Sequence, residues 1–244
     1  MISMIYGLHA VNAKLKSSPD SIVEALIQKG KHNPKVEDII KQIRKKEITV
    51  EFADKKILDK KSDNGIHQGI ILLCKPTNNL ISEEEVIQIV KAKDNPLILV
   101  LDGITDPHNF GACLRTADSA GIDCVILAKD KSCPINATVS KVASGASESV
   151  SICYATNLAR ILEKLKEQGV WLCGLAGEAE QTIYQQDCTM PLAIIMGSEG
   201  KGLRQLTRKT CDFLVKLPMH GEVSSLNVSV ATGISLYEVL RQRG

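Results

Sequence analysis

From Pro96 onward, short apolar runs bounded by turn residues alternate with stretches of helical spacing. The runs are Leu97–Leu101, Cys124–Leu127, Ser149–Ile152, Val170–Leu175, Leu192–Met196 and Phe213–Leu217. Strand-sized apolar runs with little polar alternation fit strands buried on both faces, and their alternation with helices predicts a mostly parallel sheet in an α/β fold. Among the helices is Asn157–Gln168, capped by Thr156 or Asn157 and stopped by Gly169. A final helix beginning near Ser225 carries Leu226, Val230, Gly233 or Ile234, Tyr237 and Leu240 along one face.

The chain before this region reads as a smaller α/β unit. Gly7–Leu15 and Val36–Lys45 have helical apolar spacing, and Ile48–Phe52 and Gly69–Cys74 have the β-branched content of strands. Pro76-Thr-Asn-Asn breaks the pattern, and Ser82 followed by Glu83–Glu85 opens a polar helix that ends near Lys93-Asp-Asn-Pro. The expected organisation is an accessory domain over 1–76, a linker over 77–95 and a main domain over 96–244. Charge divides the same way. Residues 1–76 hold 14 Lys and Arg against 9 Asp and Glu, whereas the rest holds 16 against 19. Lys41, Arg44, Lys45, Lys46, Lys55, Lys56, Lys60 and Lys61 are candidates for phosphate contact, and an ordinary solvated face explains them equally well.

Composition excludes several classes. No apolar run approaches the roughly 18 residues of a membrane span, and Met1–Val11 lacks the basic and apolar regions of a secretory signal, so a soluble, cytoplasmic protein is expected. Eight cysteines stand without any C-x-x-C pair, mostly in apolar segments, and the five histidines are scattered. Buried thiols in a reducing compartment account for the cysteines, and no metal is expected.

Three blocks carry chemistry. In residues 102–121 a buried strand runs into a turn-rich loop, and a helix opens near Asn109, at the strand end where active sites of such sheets lie. Asn109 fits a helix cap or a site residue. Arg115, set among Cys113, Leu114, Ala117 and Ala120, needs a partner, either a ligand phosphate or a structural Asp118 or Asp102. The second block, Ile194-Ile-Met-Gly-Ser-Glu-Gly-Lys-Gly-Leu, matches neither a Walker loop nor a dinucleotide fingerprint. Its Glu199 disfavours a polyphosphate and suits a cationic sulfonium. In the third, residues 217–234, the polar run Ser224, Ser225, Asn227 and Ser229 exceeds what one helix cap requires.

N109-F-G-A-C-L-R115, M196-G-S-E-G-K-G-L and L217-P-M-H-G-E-V-S-S-L-N-V-S-V-A, in that order, resemble motifs one to three of the SpoU (TrmH) family in the SPOUT methyltransferase superfamily. The resemblance covers about 97–244. The start, Ile5-Tyr-Gly-Leu-His-Ala-Val, and the basic unit to Lys75 resemble the family's substrate-binding domain. It implies a deep trefoil knot, a homodimer and S-adenosylmethionine as methyl donor. Gly197, Leu217 and Leu226, with Leu175, Ala176 and Gly177, match the cofactor pocket. Asn109, Arg115, Glu199, Ser225 and Asn227 match the active-site positions. The implied substrate is RNA rather than DNA. Leu101–Asn109 and Ser224–Ile234 resemble most closely the members that methylate a guanosine 2′-hydroxyl in the peptidyl-site loop of 23S rRNA. A tRNA-modifying member and a non-catalytic RNA binder are the competing expectations. An aromatic content of 3% argues against extensive base stacking.

Overall fold

The computed structural model describes residues 3–30, 33–62, 65–75 and 79–244, which divide into two units, Met1–Asn78 and Asn79–Gly244. The first unit runs β1 (Ser3–Tyr6), α1 (Leu8–Ser17), β2 (Ile22–Gln28), α2 (Pro34–Lys45), β3 (Thr49–Ala53), α3 (Lys55–Lys61) and β4 (Ile70–Cys74). Its sheet has the order β1-β4-β2-β3, with β2 and β3 parallel and β4 antiparallel to both of its neighbours. Val11 and Leu15 of α1 and Val36, Ile39 and Ile43 of α2 share one core with Ala25, Ile27, Ile70 and Leu72. Leu58 of α3 packs with Leu26, Ala53 and Ile71 in a separate cluster. The basic run is therefore split between two helices that belong to different clusters. Pattern reading misses β1, β2 and α3. In β2 the exposed Val23 interrupts the alternation, and α3 buries Leu58 alone. Of the expected break, Pro76–Asn78 lie outside the described residues.

The second unit opens with α4 (Glu83–Lys91). Ser82 Oγ accepts from the Glu85 amide at 3.2 Å while Glu85 Oε2 accepts from the Ser82 amide at 2.7 Å. These are the two halves of a capping box. Val86 and Val90 then bury against the sheet, so the segment expected as linker contains a helix docked on the second unit. There follow β5 (Leu97–Asp102), α5 (Pro107–Ser119), β6 (Cys124–Ala128), α6 (Ala137–Ala143), α7 (Ala146–Ser149), β7 (Ile152–Ala155), α8 (Leu158–Glu167), β8 (Trp171–Leu175), β9 (Leu192–Gly197), α9 (Gln205–Thr210), β10 (Phe213–Val215) and α10 (Val228–Arg243).

All pairings in this sheet are parallel, in the order β10-β8-β9-β5-β6-β7. Alternate residues serve opposite faces. Leu97, Leu99 and Leu101 join α5, α6 and α10 in one core, and Ile98 and Val100 join α4 and α8 in the other. Burial on both faces is why these runs carry no polar alternation. One strand lies three residues later than expected, since 146–149 coil into a short helix and the sheet instead takes Ile152–Ala155. Seven of the eight cysteines are buried and Cys211 is half-buried. Among the described residues no helix is long and apolar enough to cross a membrane.

Candidate active site

The strand order changes direction beside β5, which is flanked by β6 on one side and β9 on the other. Crevices in open parallel sheets form at such points, outside the carboxyl ends of the strands. Three sequence blocks converge there. After β5 the chain turns through Gly103, and α5 begins at Pro107 with Asp106 as its cap. The Asp106 carboxylate accepts from the His108 amide at 3.3 Å and the Asn109 amide at 3.1 Å. Asn109 is therefore not the cap. It sits inside the first turn with its side-chain amide free to point elsewhere.

After β9 the chain makes a tight return. Ser198 and Gly202 exchange backbone hydrogen bonds of 3.1 and 2.9 Å, and Gly200 and Gly202 take φ values of 76° and 67°. Such angles favour glycine. At Gly197 glycine is required by proximity instead, because an added Cβ would lie 2.1 Å from the Gly202 carbonyl carbon. The return presents Glu199. The third block ends at α10, whose cap is Asn227 rather than a serine, so the helix starts at Val228 and not near Ser225. Asn227 Oδ1 accepts from the Ser229 amide at 2.9 Å and the Ser229 hydroxyl at 2.6 Å.

The spare atoms of these loops meet in a triangle. Asn109 donates to Glu199 Oε1 at 3.0 Å, and Asn227 Nδ2 reaches both Asn109 Oδ1 and Glu199 Oε1 at 2.9 Å. One amide thus caps α10 with its oxygen and ties the other two blocks with its nitrogen. Beside the triangle lies an open cleft of about 690 Å³ whose lining includes Leu175, Ala176, Gly177, Gly197, Leu217 and Leu226, all six residues expected at the cofactor pocket. Ser225 lines it as well. Glycine backbone and leucine side chains give it an apolar wall with open peptide groups, and Glu199 carries a negative charge at its edge.

Arg115 is not brought into this group. It is exposed on α5 and, among the described residues, makes one long hydrogen bond, Nη1 to Ser144 Oγ at 3.4 Å. Neither structural partner weighed for it is used. Asp118 accepts from Ser149, and Asp102 pairs with Arg204. Ser225 makes no hydrogen bond to Arg115 among the described residues. On the far side of α5, Cys113 is fully buried 3.6 Å from the Thr232 hydroxyl, and burial pushes its thiol up to about 11, so it is no nucleophile at neutral pH.

Pattern reading misses Arg204 and misassigns Asp102. Asp102 ends β5 fully buried, with Oδ1 3.2 Å from the Arg204 guanidinium and Oδ2 accepting the Arg204 amide at 3.0 Å. A signal was present: an acid that directly continues an apolar run of strand length must find a partner.

The chain is similar to known proteins along its length. Residues 96–237 match the model of the SpoU rRNA Methylase family, and residues 4–80 match that for RNA 2'-O ribose methyltransferase substrate binding. The 23S rRNA (guanosine-2'-O-)-methyltransferase RlmB of Vibrio cholerae is 50% identical over 240 residues, covering 98% of this chain and 97% of its own. That of Escherichia coli K12 is 48% identical over 243 residues, covering 100% of both chains. Among solved structures, the SpoU methyltransferase AviRb of Streptomyces viridochromogenes, crystallised with AdoMet, superposes with a TM-score of 0.80 at 19% identity, covering 99% of this chain and 90% of its own. With one family model spanning more than half its length and full-length relatives near half identity, the chain belongs to the SpoU rRNA Methylase family.

Proposed function

We propose that the chain transfers a methyl group from S-adenosylmethionine to the ribose 2′-hydroxyl of a guanosine in the peptidyl-site loop of 23S rRNA. The observation that carries this reading is the convergence of the three blocks on the Asn109–Glu199–Asn227 triangle, beside a cleft lined by all six expected cofactor residues. The RlmB relatives supply the guanosine and the 23S rRNA.

The cleft fits the cofactor on its own chemistry. Leu175, Leu217 and Leu226 offer an apolar wall for adenine, Gly177 leaves open space for a ligand, Gly197 lets the 198–202 return close against the end of β9, and Glu199 favours a cation. S-adenosylmethionine supplies an electrophilic methyl carbon on a sulfonium. The residues do the positioning, which is where much of the rate of an in-line displacement arises. Asn109 and Asn227 hold Glu199 at the edge of the cleft. Arg115, which is exposed and weakly bonded, is suited to grip an RNA phosphate in the bidentate manner of a guanidinium. Its role in this reading is to position the phosphate and ribose. The hydroxyl proton leaves late, to water or to a phosphate oxygen.

The first unit binds the RNA in this reading, and the protein works in the cytoplasm as a homodimer. Val223, Leu226, Val230 and Tyr237 leave an exposed apolar strip along the third block and α10 that a second copy would cover. The knot is supported by the path of the chain. Beyond the edge strand β10, Leu217, Met219 and Ser224–Asn227 border the same cleft as the 198–203 return before α10 packs on β9 and α5 at the centre of the sheet.

Mapping ribose methylation in total RNA from a strain lacking the protein tests the proposal. Loss of one methyl group from the peptidyl-site loop, restored by the wild-type gene and not by an Arg115→Ala copy, is the expected result. An intact loop together with a tRNA lacking a ribose methyl group would overturn the substrate.

A further inference from the structure

Asp102 and Arg204 lie outside the triangle, yet they join the end of β5 to the end of the return that presents Glu199. Asp102 is the last residue of β5 and pairs in register with Gly197, the last residue of β9. Its side chain is wholly buried, whereas the Arg204 side chain is 42% exposed. Arg204 closes the return that presents Glu199, and its backbone amide is fixed by Asp102 Oδ2 at 3.0 Å. Its guanidinium lies 3.2 Å from Asp102 Oδ1 and reaches back to the Asp130 carbonyl after β6 at 3.4 Å. One side chain thereby spans the loops that follow β5, β6 and β9.

A buried carboxylate of this kind is costly unless its charge and hydrogen bonds are met. Oδ2 accepts the Arg204 amide, whereas Oδ1 has no hydrogen bond among the described residues and depends on the Arg204 charge alone, so both oxygens rely on Arg204. Moving the return would strip Asp102 of both contacts together. We infer that Asp102 and Arg204 form a positioning pair that sets the conformation of the 197–204 return and with it the cofactor cleft and the orientation of Glu199. Neither residue touches the reacting atoms. The Asp102 carboxylate holds the base of the return, and the Arg204 guanidinium locks it to the neighbouring strand ends. The inference rests on the cleft being the S-adenosylmethionine site.

Three variants of the full chain test it: Arg204→Ala, Arg204→Lys and Asp102→Asn. Titration calorimetry with S-adenosylmethionine and amide hydrogen exchange are read on each, well below its unfolding temperature. Arg204→Ala is expected to weaken binding at least tenfold and to raise exchange at the Ser198 and Gly202 amides, which bond to each other across the return. Protection in β5 and β6 should stay at the wild-type level. Arg204→Lys keeps the charge and the backbone contact and should recover binding to within about threefold. Asp102→Asn should resemble Arg204→Ala in both readouts. Unchanged affinity in Arg204→Ala and Asp102→Asn would overturn the inference, as would a loss of protection spread evenly through β5 and β6. A wild-type chain that failed to bind S-adenosylmethionine would overturn the methyltransferase reading instead. The exchange at Ser198 and Gly202 would then still decide whether the pair sets the return.

Discussion

Helix α5 carries two residues of the expected site, and they stand in opposite conditions. Asn109, near its start, is buried and has each side-chain atom engaged, its nitrogen by Glu199 and its oxygen by Asn227. Arg115, about 9 Å further along the helix, is exposed and keeps one hydrogen bond of 3.4 Å. A group whose bonds are complete within the chain holds the site in shape and has little left to offer a substrate. A guanidinium with most of its donors unused among the described residues suits the grip on an RNA phosphate that the proposed function assigns to it. Under the proposed function the folded chain separates holding residues from gripping residues, although the family motif treats them alike.

The largest effect should come from the holding side. Gly197→Ala places a Cβ 2.1 Å from the Gly202 carbonyl carbon and 2.3 Å from the Leu203 nitrogen, so the return must be displaced. Overpacking of this kind costs about 3 kcal/mol. Loss of measurable S-adenosylmethionine binding in calorimetry and a lower unfolding temperature are expected together. Arg115→Ala should break the comparison from the other side. Removing an exposed, weakly bonded side chain should leave stability and cofactor affinity unchanged, while single-turnover methylation falls by roughly 10²-fold, the scale of a lost charge-positioning contact. Near-full activity in Arg115→Lys would sink the bidentate grip.

Asn227 belongs to both conditions, because its oxygen caps α10 and its nitrogen ties the triangle. Substitution can separate the two jobs. Asn227→Asp keeps the cap acceptor but sets a carboxylate against Glu199 Oε1, now 2.9 Å from the amide nitrogen. Two carboxylates at that distance share a proton, so activity should fall by roughly 10-fold at pH 8 and recover in part at pH 6. Asn227→Ala removes the cap as well, costing about 1 kcal/mol. Its unfolding temperature should drop by about 3 °C, with no recovery of activity on acidification.

The sheet was legible in the sequence because burial on both faces writes itself as an unbroken apolar run, as in Leu97–Leu101. The slip at 149–155 arises where that signal fades. Val150, Ile152, Cys153 and Ala155 are all buried, so apolar character cannot say where the short helix ends and the strand begins. The helix starts were misplaced for a different reason. Asp106 and Asn109 can both cap, as can Ser225 and Asn227, and only tertiary contacts decide which is used. The triangle was legible as three separate blocks but not as one network, since its bonds join residues 28, 90 and 118 positions apart. Arg115 was legible by type, although its exposure was not. The apolar letters around it suggest burial, but the helix turns Cys113 and Leu114 inward and leaves Arg115 outside.

An effect confined to alkaline pH concerns a residue between these two on α5. Cys113 faces away from solvent toward Thr232 of α10, and burial raises its thiol from the ordinary value to about 11. The folded chain therefore keeps a proton that the unfolded chain releases near pH 9. Above that pH the unfolded state binds fewer protons than the native one, so stability is complete below pH 9 and declines as pH rises toward 11. A single group contributes about 1.4 kcal/mol per pH unit within that window. Cys124 and Cys153, raised by burial to about 12 and about 11, act in the same direction. Urea unfolding at pH 8.5 and pH 10.5 should show a stability loss that is smaller by about 2 kcal/mol in Cys113→Ser than in wild type. An equal loss in both would mean that the thiol ionises in the folded state, and that α5 lies open to solvent between Asn109 and Arg115. The separation of a sealed holding end from an exposed gripping end would then fail at the residue that joins them.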